Sequence, residues 1–445
     1  MELLTEELLS APAGARALTL RAHAALAVGR HEAALEAARR ARRLRGAEPT
    51  RLALTEGEAL LRLGRPAEAL AVVPRALERQ PEGDLAARLH LVQAEALGLL
   101  GRLMEGERQT ARAEALAAAE LTLARLDEIR GLLAWARQDP AGAQARLAAA
   151  TQRYAACQHA QGVVRALERQ ALVLRHAGCS REALALVGRR LELAATTTRL
   201  DSVARAHHDR AVLLADLGRL AEARVELLRS SDMLVRLQHP QATTLVGATA
   251  CRLALLTGDL PGARERLEAL AGLSVLEPRL AAETALLRSD VLLAEGSLDG
   301  AEQSGAEAVR LFRACRDVRG TARARLRLAS ALLALGRTRA GLLEARRAAR
   351  LAVPSPPIRA LAELNVGRAL LRLGHAAAAD AFRRGAQLCP ERESLVRAAE
   401  VGVRLALRAA AADPELRAAL QALERTGDQR LLAACREELR LRGLA

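Results

Sequence analysis

Apolar residues are interrupted by arginine or glutamate every few residues along this chain, and small residues recur at fixed distances from a set of glycines. Residues 50–81 illustrate the pattern: Gly57 lies seven residues before Gly64, Ala69 lies five after it, and Pro81 ends the segment. A glycine between two apolar helical stretches is typical of a tight turn, so the segment predicts two antiparallel helices. The unit recurs along most of the chain, and a period of this length predicts stacked helix pairs.

The turn residue defines an anchor in each unit, and successive anchors are 35 to 40 residues apart. In one unit the anchor is Gln138, where Asp139 and Pro140 supply a helix N-cap and a first helical residue. The other nine anchors are Gly29, Gly64, Gly101, Gly178, Gly218, Gly258, Gly296, Gly336 and Gly374.

We call the residues at the same distance from the anchor in every unit a column, and two columns hold a small residue in every unit. The column seven residues before the anchor is Ala22, Gly57, Ala94, Gly131, Ala171, Ala211, Cys251, Ser289, Ala329 and Gly367. The column five residues after it is Ala34, Ala69, Gly106, Ala143, Ala183, Ala223, Ala263, Ala301, Gly341 and Ala379. Only a small side chain fits where two helices cross closely, so these columns predict the crossing point of each helix pair.

The spacing of small residues resembles the tetratricopeptide repeat family over roughly residues 15–390. The longer units resemble the long-helix arrays of large bacterial signalling proteins, including the sensor halves of maltose-activator-like and NB-ARC regulators. The resemblance implies an all-α fold, a right-handed superhelical solenoid of about ten helix-turn-helix repeats. It implies function only as a class, which is protein binding and scaffolding. No GxxxxGK[ST] loop is present, because the chain contains no lysine.

The array divides the chain into three predicted regions. We expect a leader helix over residues 1–13, the solenoid over 14–390, and a degenerate helical cap over 391–445, which solenoids need for solubility. Prolines at 354, 356 and 357 should end the helix of the ninth unit and start the tenth. Within the cap, helices are predicted near 393–411, 415–425 and 428–442.

Composition adds a strong positive charge of +15, all of it from arginine. This charge favours an anionic partner such as an acidic peptide or nucleic acid, but it also fits a sequence that uses arginine at every basic position. The six cysteines form no CxxC pair, so neither a disulfide framework nor a zinc site is predicted. The N-terminus lacks the pattern of a signal peptide and no apolar run could span a bilayer, so we expect a cytoplasmic protein without membrane association.

No catalytic constellation is recognisable. His207 and His208 are adjacent on one predicted helix, where side chains point about 100° apart, so a structural role is favoured over metal binding. There is no HExxH motif and no glycine-rich loop after a strand. We therefore expect no enzyme activity, no catalytic residue, no metal and no cofactor.

The candidate binding residues are mainly a column of arginines thirteen residues before the anchor. The column is Arg16, Arg51, Arg88, Arg125, Arg165, Arg205 and Arg323, with Leu245, Glu283 and Leu361 as exceptions. In the family that the chain resembles, this part of each first helix faces the concave groove. The arginines would then bind the carboxylates of an acidic peptide or a nucleic-acid backbone. The alternative is an internal ladder in which Glu58, Glu95, Glu128 and Glu168 neutralise them.

Three further residues are candidates. Asn365 resembles the asparagine that hydrogen-bonds a bound peptide in members of that family, and Arg368 and Arg372 follow it on nearby turns. Trp135 is the only tryptophan, so it is the best hot spot for a partner if it is exposed and a packing residue if it is buried.

These observations leave three functional hypotheses. The first is a non-enzymatic adaptor that binds a partner segment, favoured to be acidic, in an arginine-lined groove. The second is a sensory or regulatory module whose ATPase or DNA-binding part lies elsewhere. The third is a sequence-independent nucleic-acid binder, against which the scarcity of aromatic residues counts for single strands. Self-association through an exposed terminal repeat is compatible with all three.

Overall fold

The structure is a computed structural model, and it describes residues 12–44, 46–196, 200–237, 240–273, 278–352, 355–407 and 413–444. These residues form 23 α-helices and no strand. Residues 1–11 of the predicted leader helix lie outside the described residues.

The helices fall into ten consecutive pairs followed by three more helices. The pairs are α1 (Pro12–Ala27) and α2 (His31–Arg42), α3 (Pro49–Arg62) and α4 (Pro66–Leu77), α5 (Gly83–Leu99) and α6 (Leu103–Leu116), α7 (Glu120–Ala136) and α8 (Pro140–Ala156), α9 (Ala160–Ala177) and α10 (Ser180–Ala195), α11 (Leu200–Asp216) and α12 (Leu220–Arg236), α13 (Pro240–Thr257) and α14 (Leu260–Leu273), α15 (Pro278–Ala294) and α16 (Leu298–Ala314), α17 (Val318–Ala334) and α18 (Thr338–Leu351), and α19 (Pro356–Arg372) and α20 (Ala378–Leu388). The last three helices are α21 (Glu393–Ala406), α22 (Pro414–Arg425) and α23 (Gln429–Leu441).

The turn inside each pair is set by the anchor residue. All ten anchors have positive φ, from 68° at Gln138 to 90° at Gly178, a conformation that glycine adopts at little cost. At Gly64 the turn is a Schellman motif, because the N–H of Arg65 donates to the carbonyl of Leu60 at 2.8 Å and that of Gly64 to Leu61 at 3.1 Å. The anchors therefore end the first helix and reverse the chain, as the sequence predicts.

The small-residue columns lie at the crossing of the paired helices. Nearly every member is fully buried. A Cβ atom at Gly131 would lie 2.7 Å from Cγ of Leu147 and 3.3 Å from the carbonyl oxygen of Ala143, which leaves no room for a side chain. Ser289 uses its small size differently, because its hydroxyl donates to the carbonyl of Ala301 at 2.8 Å across the pair. Close helix contact is therefore the physical reason for both columns.

The described residues divide into two compact units. The N unit lies within Met1–Val173 and Leu186–Val203, and the C unit lies within Leu174–Ala185 and Ala204–Ala445. In each unit the odd-numbered helices contact one another in succession: α1, α3, α5 and α7 in the N unit, and α13, α15, α17, α19 and α21 in the C unit. We call this surface the odd layer of the unit.

The C-terminal helix lies against the odd layer of its own unit. Helices α22 and α23 lie within one residue of their predicted bounds, whereas α21 ends at Ala406 and residues 408–411 of its prediction lie outside the described residues. Helix α21 continues the odd layer by packing on α19, whereas α23 contacts both α13 and α21. Since α13 and α21 are separated by three odd-numbered helices, α23 crosses the odd layer of the C unit.

Candidate functional site

The seven arginines of the predicted column all lie on odd-numbered helices. Arg16, Arg51 and Arg205 are exposed, and Arg51 pairs with Glu48 beside it on the chain at 2.9 Å. The other four form ion pairs with a carboxylate of the preceding odd-numbered helix. These pairs are Arg88–Glu58 at 3.1 Å, Arg125–Glu95, Arg165–Glu128 at 2.6 Å and Arg323–Glu283 at 2.7 Å.

This arrangement matches the internal ladder for those four arginines. Glu283 is one of the exceptions in the column, and it supplies the counter-ion for the arginine one repeat later. Glu168, the fourth glutamate considered from the sequence, pairs with Arg190 at 3.1 Å. The assignment of the column to partner binding stays a prediction.

The ladder is densest in the N unit, where helices α3, α5, α7 and α9, with one tyrosine of α8, bring a charged cluster together. This N-unit cluster consists of Arg62, Glu95, Arg125, Glu128, Tyr154, Arg165 and Arg169. Glu128 is fully buried and accepts hydrogen bonds from Arg125 at 2.7 Å, Arg165 at 2.6 and 2.7 Å, and the hydroxyl of Tyr154 at 2.7 Å.

Charge balance explains the pKa shifts in the N-unit cluster. Burial alone would raise the pKa of Glu95, but Arg125 and Arg169 outweigh it and lower that pKa to about 2. Arg62 is the fourth arginine of the cluster, and burial together with the charge of Arg165 lowers its pKa to about 9. The cluster therefore holds two glutamates ionised among four guanidinium groups.

Asn365 and Arg368 lie on α19, facing α17 and α23. The side-chain amide of Asn365 donates to the hydroxyl of Ser330 at 2.9 Å and to the carbonyl of Leu326 at 3.3 Å. Arg368 is nearly buried and donates to Glu438 at 3.0 Å and to Glu437 at 2.9 Å. Both residues are thus engaged by other residues of the C unit.

Helix α23 is held by this pair of carboxylates. Arg372 donates to Glu437 at 2.8 Å and to Glu438 at 2.6 Å, so two arginines of α19 meet two adjacent glutamates of α23. Although burial lowers the pKa of Arg372, its hydrogen bonds to Glu438 and Glu437 raise that pKa above its usual value. Charge-assisted hydrogen bonds of this kind are among the stronger ones in proteins.

A cavity of about 580 Å³ lies beside this contact. Leu364, Leu371 and Phe382 form part of its apolar wall, while Asn365 and Arg368 supply polar groups. We call this cavity and the surface that α23 covers the α23 groove. An apolar wall with a few converging polar groups is typical of ligand-binding pockets.

Comparison with known proteins identifies the architecture. No protein-family model matches the sequence, and no curated protein matches it. A crystal structure of a Rap protein complexed with competence and sporulation factor is similar, with a TM-score of 0.57 and 12% identity over 76% of this chain and 97% of that one. The apo form of RapI is also similar, with a TM-score of 0.51 and 13% identity over 76% of this chain and 96% of that one. The chain has a tetratricopeptide-repeat-like fold.

The apo form of the quorum sensor NprR from B. thuringiensis has the same kind of architecture. Its TM-score is 0.52, with 14% identity over 68% of this chain and 87% of that one. At these identities the likeness concerns the fold. The likeness agrees with the helix pairs and the odd layers. Any argument about ligands must rest on the residues of this chain.

The remaining candidates, Trp135, His207 and His208, contact other residues of the chain. Trp135 is partly buried and packs against Ala143, Leu147 and Val173 in the N unit. His207 lies 2.6 Å from Glu226, and His208 lies 2.9 Å from the hydroxyl of Thr249. Among the residues that the structure describes, no group of His, Cys, Asp and Glu is arranged to hold a metal ion, and no helix is long and apolar enough to cross a membrane.

Sequence reasoning with a single column missed most of the charged residues on the odd layer. Positions thirteen, nine, six and two before the anchor have the spacing i, i+4, i+7 and i+11, so they share one face of each first helix. We call these four positions the inner stripe. Besides the arginine column it includes Arg62, Glu95, Arg169, Asp216, Arg252, Asp290, Arg327, Asn365, Arg368 and Arg372. Glu95, Asn365, Arg368 and Arg372 are among the residues singled out above, and tabulating charge at all four positions would have found the others.

Proposed function

We propose that this protein is a non-enzymatic regulatory adaptor that binds an acidic peptide segment in the α23 groove. The observation that carries the proposal is the contact of Arg368 and Arg372 with Glu437 and Glu438 of α23. In this contact a helix of the chain itself places two adjacent carboxylates on the odd layer. A partner segment with paired carboxylates would use the same two guanidinium groups.

The lining of the groove supports a peptide as the ligand class. Its volume of about 580 Å³ falls within the roughly 300–1,000 Å³ of known ligand pockets. Leucine side chains and Phe382 would contact apolar side chains of a peptide, and the two arginines would bind its carboxylates bidentately. The amide of Asn365 could exchange its bond to Ser330 for a backbone group of the ligand.

The comparisons support the regulatory part of the proposal. The similar Rap structure is complexed with competence and sporulation factor, and NprR is described as a quorum sensor. Proteins with this architecture therefore include ligand-responsive regulators. We extend this role to the present chain, with α23 as the segment that an incoming peptide would displace.

Nucleic-acid binding is the weaker candidate. Backbone binding needs guanidinium groups that are available to phosphates. Arg88, Arg125, Arg165 and Arg323 are instead paired with carboxylates of the chain. A short DNA duplex therefore serves as a comparison ligand in the experiment below.

The test is binding of a fluorescent peptide with the sequence of residues 429–441 to the full-length chain, measured by fluorescence anisotropy. In the unaltered chain α23 competes at high effective concentration, so binding of the added peptide is weak. Replacing Glu437 and Glu438 by glutamine in the chain weakens the competitor and should raise the affinity at least tenfold. Adding Arg368→Gln and Arg372→Gln to that variant should remove the gain.

Two controls make the result specific. A peptide with both glutamates replaced by glutamine should bind weakly to every variant, and Arg346→Gln, an exposed arginine of α18, should leave binding unchanged. Helix content by circular dichroism verifies that each variant is folded. Equal affinity for the peptide with both glutamates and the peptide with both glutamines, or tighter binding of the DNA duplex than of the glutamate peptide, would refute the proposal.

A further inference from the structure

A second cavity in the C unit is surrounded by arginines. It has a volume of about 160 Å³. Helix α17 contributes Arg319, Arg323 and Arg327, which are four residues apart and so share one helix face. Arg175 and Arg252 come from α9 and α13. Five guanidinium groups from three helices therefore line this space, which we call the arginine cavity.

Two more arginines come from the C-terminal part of the chain. Arg392 precedes α21, and Arg430 lies in the first turn of α23. The carboxylates that line the cavity are those of Asp216 and Asp290. Glu283 pairs with Arg323 and Asp428 lies 4.0 Å from Arg430, so seven arginines face four carboxylates, an excess of three positive charges.

The carboxylates are already engaged. Asp216 lies 2.7 Å from Nε of Arg175 and also contacts Arg392, and Asp290 lies 2.7 Å from Nε of Arg327. Although burial raises the pKa of Asp216, the charges of Arg175 and Arg392 outweigh it and lower that pKa to about 2. The Asp216 carboxylate therefore remains ionised and neutralises part of the cluster.

Arg252 and Arg319 lack such a partner. Among the described residues neither has a carboxylate within ion-pair distance, and Arg252 donates only to the hydroxyl of Thr249 at 3.1 Å. Burial and the charges of Arg175 and Arg323 lower the pKa of Arg319 to about 9. Because a guanidinium group stays protonated at neutral pH, the lowered pKa expresses a cost of holding this cation here.

We propose that the arginine cavity binds a small polyanion carrying two or more phosphate or carboxylate groups. Arginine forks bind both kinds of group through paired N–H donors. A bound polyanion would neutralise the excess charge and give Arg252 and Arg319 acceptors.

The size of the cavity limits the ligand. An engineered protein cavity of about 150 Å³ holds one benzene molecule, so a cavity of this volume suits a compact ligand such as inorganic diphosphate or citrate. A peptide segment belongs to the larger α23 groove. The two sites share Arg327, Arg392, Arg430 and the carboxylates of Asp216 and Asp290. The polyanion proposal nevertheless rests on the arginines of the smaller cavity and does not depend on peptide binding.

The test is isothermal titration calorimetry of the full-length chain with inorganic diphosphate, with citrate and with monophosphate, at near-physiological salt. We expect saturable one-to-one binding of diphosphate or citrate and at least tenfold weaker binding of monophosphate. The better ligand of the two identifies phosphate or carboxylate as the preferred group.

Variants distinguish binding in the arginine cavity from a general attraction of anions to a basic protein. Arg319→Gln should weaken binding at least tenfold, while the exposed control Arg346→Gln should bind like the unaltered chain. Since Arg319→Gln removes a repelled cation, its melting temperature should not fall. If the melting temperature does fall, Arg252→Gln on α13 is tested in place of Arg319→Gln, and it should also weaken binding at least tenfold. Absence of saturable binding, several ions per chain, or equal weakening in the control would overturn the proposal.

Discussion

The N-unit cluster and the arginine cavity are built from the same kind of residue on the same face of the odd-numbered helices, yet they differ in charge balance. In the N-unit cluster four arginines share two glutamates and a tyrosine, and three of the four are hydrogen-bonded to them. In the C unit seven arginines share four carboxylates, and Arg252 and Arg319 have no ion-pair partner among the described residues. Within the part of the chain that the structure describes, similar repeats therefore leave one arginine, Arg62, without a carboxylate partner in the N-unit cluster and two in the arginine cavity.

The difference arises at one position of the inner stripe. Six residues before the anchor the N unit has Glu58 and Glu95, each paired with an arginine of the next odd-numbered helix. At that position the C unit has Arg252 and Arg368 as well as Asp290. Where arginine occupies this position, it needs a counter-ion from elsewhere. For Arg368, Glu437 and Glu438 of α23 supply it, whereas Arg252 has no carboxylate partner among the described residues.

The largest effect is expected from breaking the ladder of the N unit at its centre. Glu128→Gln removes a buried carboxylate that Arg125, Arg165 and Arg169 share, and Glu95 remains as a partner for Arg125 and Arg169 only. Removing one partner of a buried charge network costs about 3–5 kcal/mol. Urea unfolding followed by the fluorescence of Trp135, the only tryptophan, reports on the free energy of unfolding of the N unit.

Glu120→Gln is the matched control, because Glu120 lies on the same helix as Glu128 but is exposed and pairs with Arg153 of α8 at the surface. Its loss should change the free energy of unfolding by less than about 1 kcal/mol. If the two variants unfold at the same urea concentration, the buried network does not stabilise the N unit.

A somewhat smaller effect is expected from acid. The pKa of Glu95 is lowered from 4.5 to about 2 in the folded state, so its ionisation stabilises the fold above pH 4.5. That contribution, about 3 kcal/mol by the usual conversion of pKa shifts, is lost as pH falls from 4.5 through 2. Glu95→Gln should reduce the pH dependence of the urea midpoint in this range, again measured by Trp135 fluorescence. An equally steep loss of stability in the variant would contradict the assignment.

The fold could be predicted from sequence because its determinants are local and repeated. Glycine supplies positive φ at nine of the ten anchors, and small residues permit the helix crossing in every unit. Gln138 shows the strength of the pattern, since its register predicts the turn without a glycine and its φ is 68°.

The binding surfaces were less predictable, because they depend on contacts between distant residues. Arg368 and Glu438 are 70 residues apart, and no single repeat encodes which helix α23 will meet. That meeting depends on small rotations accumulated over several helix pairs. The charges themselves could have been found, because the inner stripe follows from helical spacing alone. The structure was needed to show which of these charged residues lack a counter-ion.

The comparison is tested most directly by the stabilities of Arg165→Gln and Arg319→Gln, measured side by side by urea unfolding and circular dichroism. The buffer must contain neither phosphate nor citrate, since a bound anion would stabilise the arginine cavity. Arg165 makes two hydrogen bonds to buried Glu128 and one to Tyr154, so its loss should lower the free energy of unfolding by about 1.5–3 kcal/mol. Arg319→Gln should leave that free energy unchanged or raise it. Equal destabilisation by both substitutions would show that the two clusters are alike and would contradict the account.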